Sequence, residues 1–342
     1  MPRTVRIGDR DVECADGQPI LDALLRAGVW MPNSCNQGTC GTCKLQVRQG
    51  SVDHANSPLD TLTFQERAEG LALGCQARPA SDLVEVSSRG AEPKATHPLR
   101  DFVATVDSVE DVANETRRVV LGLGEPLVFD AGQYIELVVP GTEHRRQYSL
   151  ANRADENKQL EIHVRRVAGG IATDSWLFGT LEVGMQVQVS GPLGDFHLPS
   201  VDDDAGEPMV LVGGGTGLAP LLGIVRTALD RHPDREIVIY HGTRGEEDLY
   251  ATEVLEDLAG RHLKFSYHQV LSDPTGPTLL RTGFPTDAFI EDLPSARGWS
   301  GWLCGPPPLV DAGVKAFKRR RMAPRLIHRE KFTPADAVIL PD

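Results

Sequence analysis

Apolar and polar positions alternate through the opening segment, MPRTVRIGDRDVEC, with the two-residue period of a half-buried strand. An amphipathic stretch follows from Ile20-Leu21 to Ala27, and short strands fit Lys44–Val47 and Leu83–Val86. From Asp101 to about Asp204 brief β-rich runs recur at Phe102–Val106, Arg118–Leu123, Tyr134–Val139, Leu160–Val167 and Gln186–Val189. Gly and Pro turn signals separate them, which predicts an antiparallel β-barrel. From Pro208 onward apolar strands at Met209–Val212, Ile237–Tyr240, Phe265–Tyr267 and Trp302–Leu303 alternate with helical stretches. That alternation predicts an α/β parallel sheet. The expected fold class is therefore multidomain, α+β followed by α/β.

Two stretches interrupt these textures. Ser88–Arg100, SRGAEPKATHPLR, has two prolines and no apolar run and reads as an interdomain linker. Val201–Pro208, VDDDAGEP, marks a second boundary. A chain of 342 residues suits two or three domains, and 40% hydrophobic residues is ample for their cores. No stretch approaches the roughly 18 uninterrupted apolar residues of a membrane span, and the N-terminus lacks an apolar signal core. A cytoplasmic protein is expected. The net charge of −13 changes the picture further, because residues 101–203 hold 17 acids against 8 bases. An acidic surface disfavours nucleic acid, which demands Lys/Arg clusters. The run Lys318-Arg319-Arg320-Arg321 is short and reads as a solvated helix face.

Candidate chemistry begins with the cysteines, six in all, at 14, 35, 40, 43, 75 and 304. Four fall within 41 residues, which in a cytosolic chain suggests a metal centre rather than disulfides. The spacing Cys35-x4-Cys40-x2-Cys43, then Cys75, is that of a plant-type [2Fe–2S] site held by four thiolates. Gly38 and Gly41 permit turns that aim backbone N–H groups at the sulfurs and raise the reduction potential. Zinc is the rival metal. Structural zinc sites usually pair two C-x2-C knuckles, however, and Cys75 has no near partner. Four unligated core cysteines are the bland alternative. Cys14 lies outside the pattern and reads as a small buried strand residue.

Residues 31–43, MPNSCNQGTCGTC, resemble the loop of plant-type ferredoxin domains, and ALGCQA at 72–77 resembles their fourth-ligand segment. The resemblance implies a β-grasp-like ferredoxin domain with Cys35, Cys40, Cys43 and Cys75 as ligands. Downstream, Phe129-x2-Gly132-Gln133-Tyr134, Arg146-Gln147-Tyr148-Ser149 and Gly191-Pro192-Leu193-Gly194-Asp195-Phe196 occur in the order found in the flavin barrel of the ferredoxin–NADP reductase superfamily. That resemblance implies that Arg146 neutralises the FAD pyrophosphate, Tyr148 packs on the isoalloxazine and Ser149 lies near its reactive N5. A pyrophosphate needs a permanent cation, and arginine offers forked donors. The stretch from His163, Val164 and Arg165 to Gly169, Gly170 and Thr173 resembles the family's second phosphate segment, with Ala172 or Thr173 in the slot where members often carry Ser or Thr. Taken alone, Arg146 reads as a surface salt bridge.

Val210-Leu211-Val212 runs into Gly213-Gly214-Gly215-Thr216-Gly217, a glycine turn opening a helix, where backbone can approach a diphosphate. It is neither a G-x-G-x-x-G nor a P-loop. With Cys304-Gly305-Pro306-Pro307 it resembles the GGGTG-x-x-P and C-G-P turns of the same superfamily, which implies that Cys304 sits where nicotinamide meets flavin. A buried Cys at a strand end is equally compatible with that position. The loop HGTRGEEDLY surrounds the single Arg244 with Glu246, Glu247 and Asp248, and this charge should reject a 2′-phosphate, so NADH is expected. Arg329-Glu330-Lys331-Phe332 resembles the terminal segment in which an aromatic covers the flavin. An ordinary hydrophobic anchor is the alternative for Phe332.

Ferredoxin, flavin barrel and nicotinamide domain, in that order, resemble the reductase components of bacterial multicomponent oxygenases. The boundaries expected are 1–90, a linker at 91–100, 101–204 and 205–342. The resemblance implies FAD, a [2Fe–2S] cluster and NADH as cofactors. The partner it implies is a Rieske dioxygenase, a di-iron monooxygenase or an intermediate ferredoxin. A hydride brings two electrons together and the cluster accepts one, so the flavin between them splits the pair. Two readings compete: a reductase for a non-oxygenase acceptor, for instance in cytochrome chemistry, and a redox sensor without turnover. A monomer is the default.

Overall fold

A computed structural model of the chain describes residues 2–88 and 96–333. It divides into two compact units, residues 1–101 with 190–195, and residues 102–189 with 196–342.

In the first unit, five strands form a mixed sheet in the order Arg10–Cys14, Arg3–Ile7, Leu83–Ser88, Lys44–Gln49, Leu71–Leu73. The first strand of the chain pairs parallel with the last of the unit, Val5 opposite Val84, so one sheet gathers both ends. The helix Ile20–Arg26 buries Ile20, Leu21, Leu24 and Leu25, an i/i+4 stripe that holds it to the sheet. Each such side chain, once fully buried, contributes on the order of 1.5–3 kcal/mol. The expected linker lies partly outside the described residues. Its far end is tied down: Thr96 N–H donates to Gly28 O and Leu99 N–H to Leu25 O, and Leu99 is buried. Residues 190–195 also close on this unit. The Asp195 carboxylate accepts from Trp30 Nε1 at 2.8 Å and from Asn33 N at 2.8 Å, while Gly194 N donates to Asn33 Oδ1 at 2.7 Å.

The second unit holds two sheets. One is antiparallel, in the order Arg145–Ser149, Tyr134–Val138, Gln186–Leu193, Arg100–Ala113, Thr116–Leu123, Gln159–Arg165. A bridge between Leu150 and Ile162 joins its two ends and closes the barrel. Inward residues such as Val119, Leu121, Ile135, Leu137, Leu160, Ile162 and Val187 fill it. The strand Arg100–Ala113 runs well beyond the predicted Phe102–Val106. Its second half, with Asp107, Glu110 and Asp111, lacks an apolar alternation. Pairing with Thr116–Leu123 as far as Ala113 opposite Thr116, across two register shifts, extends it regardless.

The other sheet is parallel, in the order Arg281–Thr282, Phe265–Leu271, Ile237–Thr243, Met209–Gly214, Ser300–Gly305, Ile327–Lys331. The chain winds outward in one direction from Met209–Gly214 and then crosses to its other side at Ser300–Gly305. That crossing is a topological switch point, where the carboxyl ends of neighbouring strands diverge and leave a crevice. The glycine turn and Cys304-Gly305 lie at those ends. The second predicted boundary is firmly held, because buried Asp204 pairs with buried Arg235 at 2.9 Å.

Candidate active site

Antiparallel pairing of Lys44–Gln49 with Leu71–Leu73, Lys44 opposite Leu73, brings Cys43 and Cys75 together across the sequence gap. Gly74 N–H donates to Cys43 O, and the two sulfurs stand 3.2 Å apart, both buried. Cys35 and Cys40 form the second pair on the loop, linked by a hydrogen bond that pulls the Cys35 thiol down to about 4. Gln37 N and Cys40 N both point at Cys35 Sγ from 3.4 Å, and Thr42 N points at Cys40 Sγ from 3.5 Å. Gly38 makes this aim possible with φ +85°, and a Cβ there would press on Gln76 and Pro58.

Among the described residues no three Cys, His, Asp or Glu side chains converge to hold a single metal ion. Two pairs of cysteine sulfurs are instead a donor set that would suit a two-iron centre, which four thiolates complete. Cys40 is the exposed member, so the loop side of the site faces solvent. Cys14 stands apart, fully buried, donating to Gln18 O at 3.3 Å, and burial pushes its thiol up to about 11.

Arg146, Tyr148 and Ser149 share the barrel strand Arg145–Ser149. Tyr148 packs on the barrel core, and burial pushes its hydroxyl pKa up. Among the described residues no carboxylate pairs with Arg146, whose Nη1 donates only to Arg145 O at 3.0 Å. A half-buried guanidinium left without an acid suits a phosphate better than the surface salt bridge considered from sequence. Along Gln159–Arg165 the side chains alternate. Val164 points into the barrel core, so only its backbone can face a cofactor. Glu161 and His163 take the other face, His163 Nε2 lying 3.0 Å from Glu161 Oε1.

In the second phosphate segment, Gly169 N–H donates to Asp174 Oδ2 at 2.9 Å. Thr173 Oγ1 is engaged by Val167, donating to its carbonyl and accepting from its N–H. The helix that follows is a five-residue π-helical turn, Thr173–Leu177.

At the switch point Gly213 pairs directly with Cys304. A Cβ on Gly217 would lie 2.3 Å from Cys304 O, and one on Gly305, at φ +141°, would crowd Gly214. Glycine is therefore required for the two turns to stack backbone on backbone. Pro306 and Pro307 then start the helix Pro307–Arg319. Cys304 is fully buried, and that burial raises its thiol pKa. Phe332 N–H donates to Gly305 O at 2.9 Å, and its partly buried side chain packs against the core cluster to which Cys304 and Trp302 belong. In the loop after Ile237–Thr243, Glu246 and Glu247 are exposed but Asp248 turns inward, with its carboxylate 3.8 Å from Arg165. Only two of the three expected acids are exposed. His241 and Tyr250, the two ends of the segment HGTRGEEDLY, were given no role from sequence and lie buried beside this turn.

Three family models match in the same order: a 2Fe-2S iron–sulfur cluster binding domain over residues 5–80, an oxidoreductase FAD-binding domain over 103–198, and an oxidoreductase NAD-binding domain over 211–315. The reductase subunit of an aromatic O-demethylase from Amycolatopsis is 65% identical across 98% of this chain and 100% of its own length. This chain belongs to the iron–sulfur flavoprotein reductases of aromatic oxygenase systems. The reductase component of a phenol 2-monooxygenase from Pseudomonas is 38% identical across 95% of this chain and 92% of its own. The crystal structure of an Amycolatopsis cytochrome P450 reductase superposes with a TM-score of 0.95 and 65% identity, covering 97% of this chain and 99% of that one. These reductases carry electrons from NADH through FAD and a [2Fe–2S] centre to an oxygenase. No helix among the described residues is long and apolar enough to cross a membrane.

Proposed function

We propose that this reductase supplies a cytochrome P450 that O-demethylates an aromatic ether. The observation that carries the reading is the 65% identity, end to end, with the O-demethylase reductase subunit. Its structural counterpart at the same identity is a cytochrome P450 reductase. The acceptor thereby moves from the Rieske or di-iron component, or intermediate ferredoxin, expected from sequence to a haem oxygenase. O-demethylation consumes one NADH, one proton and one O2 per methyl group, and yields a phenol, formaldehyde, water and NAD+. Reconstitution with an aromatic O-demethylase cytochrome P450, over a panel of methoxylated aromatics, should release formaldehyde in step with NADH consumed. Reduction of a Rieske or di-iron component without any formaldehyde would overturn it.

Residues 1–90 serve as the cluster domain, 91–100 as linker, 101–204 as flavin barrel and 205–342 as nicotinamide domain. Cys35, Cys40, Cys43 and Cys75 hold the cluster. Arg146, Tyr148, Ser149, Val164, Gly169, Gly170 and Thr173 line the flavin, with His163 and Arg165 on the strand beside it. Gly214, Gly215, Thr216, Gly217, Gly305 and Pro306 take the dinucleotide. Cys304 would meet the nicotinamide, Ser149 would lie near the flavin N5, and Phe332 would cover the ring. When bound, the flavin accepts a hydride and releases its electrons singly. The residues position and tune, and no acid–base pair is needed. The protein works as a cytoplasmic monomer without affinity for membrane or nucleic acid.

Glu246 and Glu247 favour NADH because neither offers a 2′-phosphate a partner. Steady-state efficiency should be lower with NADPH by roughly tenfold or more, the factor that about 1.4 kcal/mol provides. Glu246→Lys combined with Glu247→Arg should narrow the gap. Equal efficiency of the unaltered enzyme with both nucleotides would contradict the assignment.

A further inference from the structure

Three buried rings form a continuous stack from the flavin barrel to the glycine turn. His163, on the barrel strand Gln159–Arg165, meets Tyr250 edge-on with centroids 5.0 Å apart and planes at 87°. Tyr250 meets His241, on the strand Ile237–Thr243, edge-on at 5.5 Å and 87°. His241 Nε2 lies 3.1 Å from Gly215 O. A carbonyl only accepts, so Nε2 carries the hydrogen. Burial lowers the His241 pKa to about 4, so the ring is neutral at pH 7. At the other end Glu161, bonded to both His163 and Arg118, anchors the first ring.

A core selected for stability alone would not choose these residues. Among the described residues, His163 Nδ1, His241 Nδ1 and the Tyr250 hydroxyl are all buried without a hydrogen-bond partner. Each such atom costs on the order of 1–3 kcal/mol. Aliphatic side chains would fill the same space without that cost. What the rings provide is rigid, shape-specific contact at both ends. One end is a strand expected at the flavin, and the other is the carbonyl of the turn expected at the dinucleotide.

We propose that Tyr250 is a positioning residue for hydride transfer, clamped between His163 and His241 so that the glycine turn is held in register with the flavin strand. The proposal rests on the assignment of residues 213–217 to the dinucleotide. Hydride transfer is steep in distance and angle, so a small displacement of the nicotinamide slows it far more than it weakens binding.

Stopped-flow reduction of the FAD-loaded enzyme by NADH provides the test. Tyr250→Ala should slow flavin reduction by roughly tenfold or more and diminish the long-wavelength charge-transfer absorbance of the nicotinamide–flavin pair. Flavin content and electron delivery to cytochrome c after dithionite reduction should be unchanged. Tyr250→Leu keeps the core filled, which covers the case in which alanine does not fold, and should be slow as well. Tyr250→Phe should retain the original rate, since the ring and not the hydroxyl makes the contacts. A Leu variant with an undiminished rate and charge-transfer band overturns the proposal. So does a Phe variant as slow as the Leu variant, which would make the hydroxyl a ligand. ADP-ribose binding separates the underlying assignment: Gly217→Val should abolish it. Undiminished ADP-ribose binding by that variant would remove the dinucleotide turn and the proposal together. Undiminished binding by Tyr250→Leu, with slow hydride transfer, supports positioning.

Discussion

Replacing Cys43 by alanine abolishes electron delivery to the acceptor while NADH still reduces the flavin at its original rate. Cys43 sits at the head of the strand Lys44–Gln49, buried, with its sulfur 3.2 Å from that of Cys75. Removing it leaves three thiolates for a centre that needs four. Changes to groups that merely hydrogen-bond to metal ligands typically cost about 10–100-fold in affinity, and losing a ligand outright exceeds that. Iron and acid-labile sulfide should fall together, and the broad visible absorption beyond the flavin bands should disappear. Flavin reduction survives because the residues assigned to FAD and nicotinamide fall in the other compact unit. A variant that keeps both reactions would remove the cluster assignment, and one that loses both would show that Cys43 matters to the fold of the whole chain.

Arg146→Ala produces the second large effect, a protein purified with little flavin. Among the described residues this guanidinium has no carboxylate partner, so no ion pair within the protein is lost and thermal stability of the apoprotein should barely move. The loss falls on the pyrophosphate. A hydrogen bond to a charged group contributes about 1.5–3 kcal/mol, or roughly a ten- to hundredfold change in FAD affinity. Arg146→Lys should recover part of it, restoring the charge but not the fork. Flavin-to-protein ratio and fluorescence titration of the apoprotein with FAD measure it. Full flavin at unchanged affinity in Arg146→Ala would sink the assignment.

The elements of chemistry legible from sequence were those with a short, fixed spacing. Cys35, Cys40 and Cys43 lie on one loop, so their spacing is itself the geometry. The glycine turn after Met209–Gly214 was legible for the same reason: an apolar strand feeding Gly-Gly-Gly-Thr-Gly has few other ways to fold. Strand cores were visible wherever inward and outward positions alternated. They failed where polar residues occupy both faces, as in the second half of Arg100–Ala113, which pairing alone extends. Local hydrogen-bond choices were also hidden. Nothing in the order of residues shows that Asp174 takes the Gly169 N–H, or that Asp248 turns toward Arg165.

Three modules, their order and the donor atoms each one offers can be read along the chain, because side-chain chemistry and short-range spacing are properties of neighbouring residues. Tertiary structure alone decided which cysteines pair, since Cys43 meets Cys75 only through a strand register set by the sheet. It alone brought His163, from the second phosphate segment, into one stack with His241 and Tyr250, the two ends of the loop HGTRGEEDLY. Contacts between distant residues depend on how sheets pack and where the chain reverses. That information is spread over every buried residue and is concentrated in no local pattern.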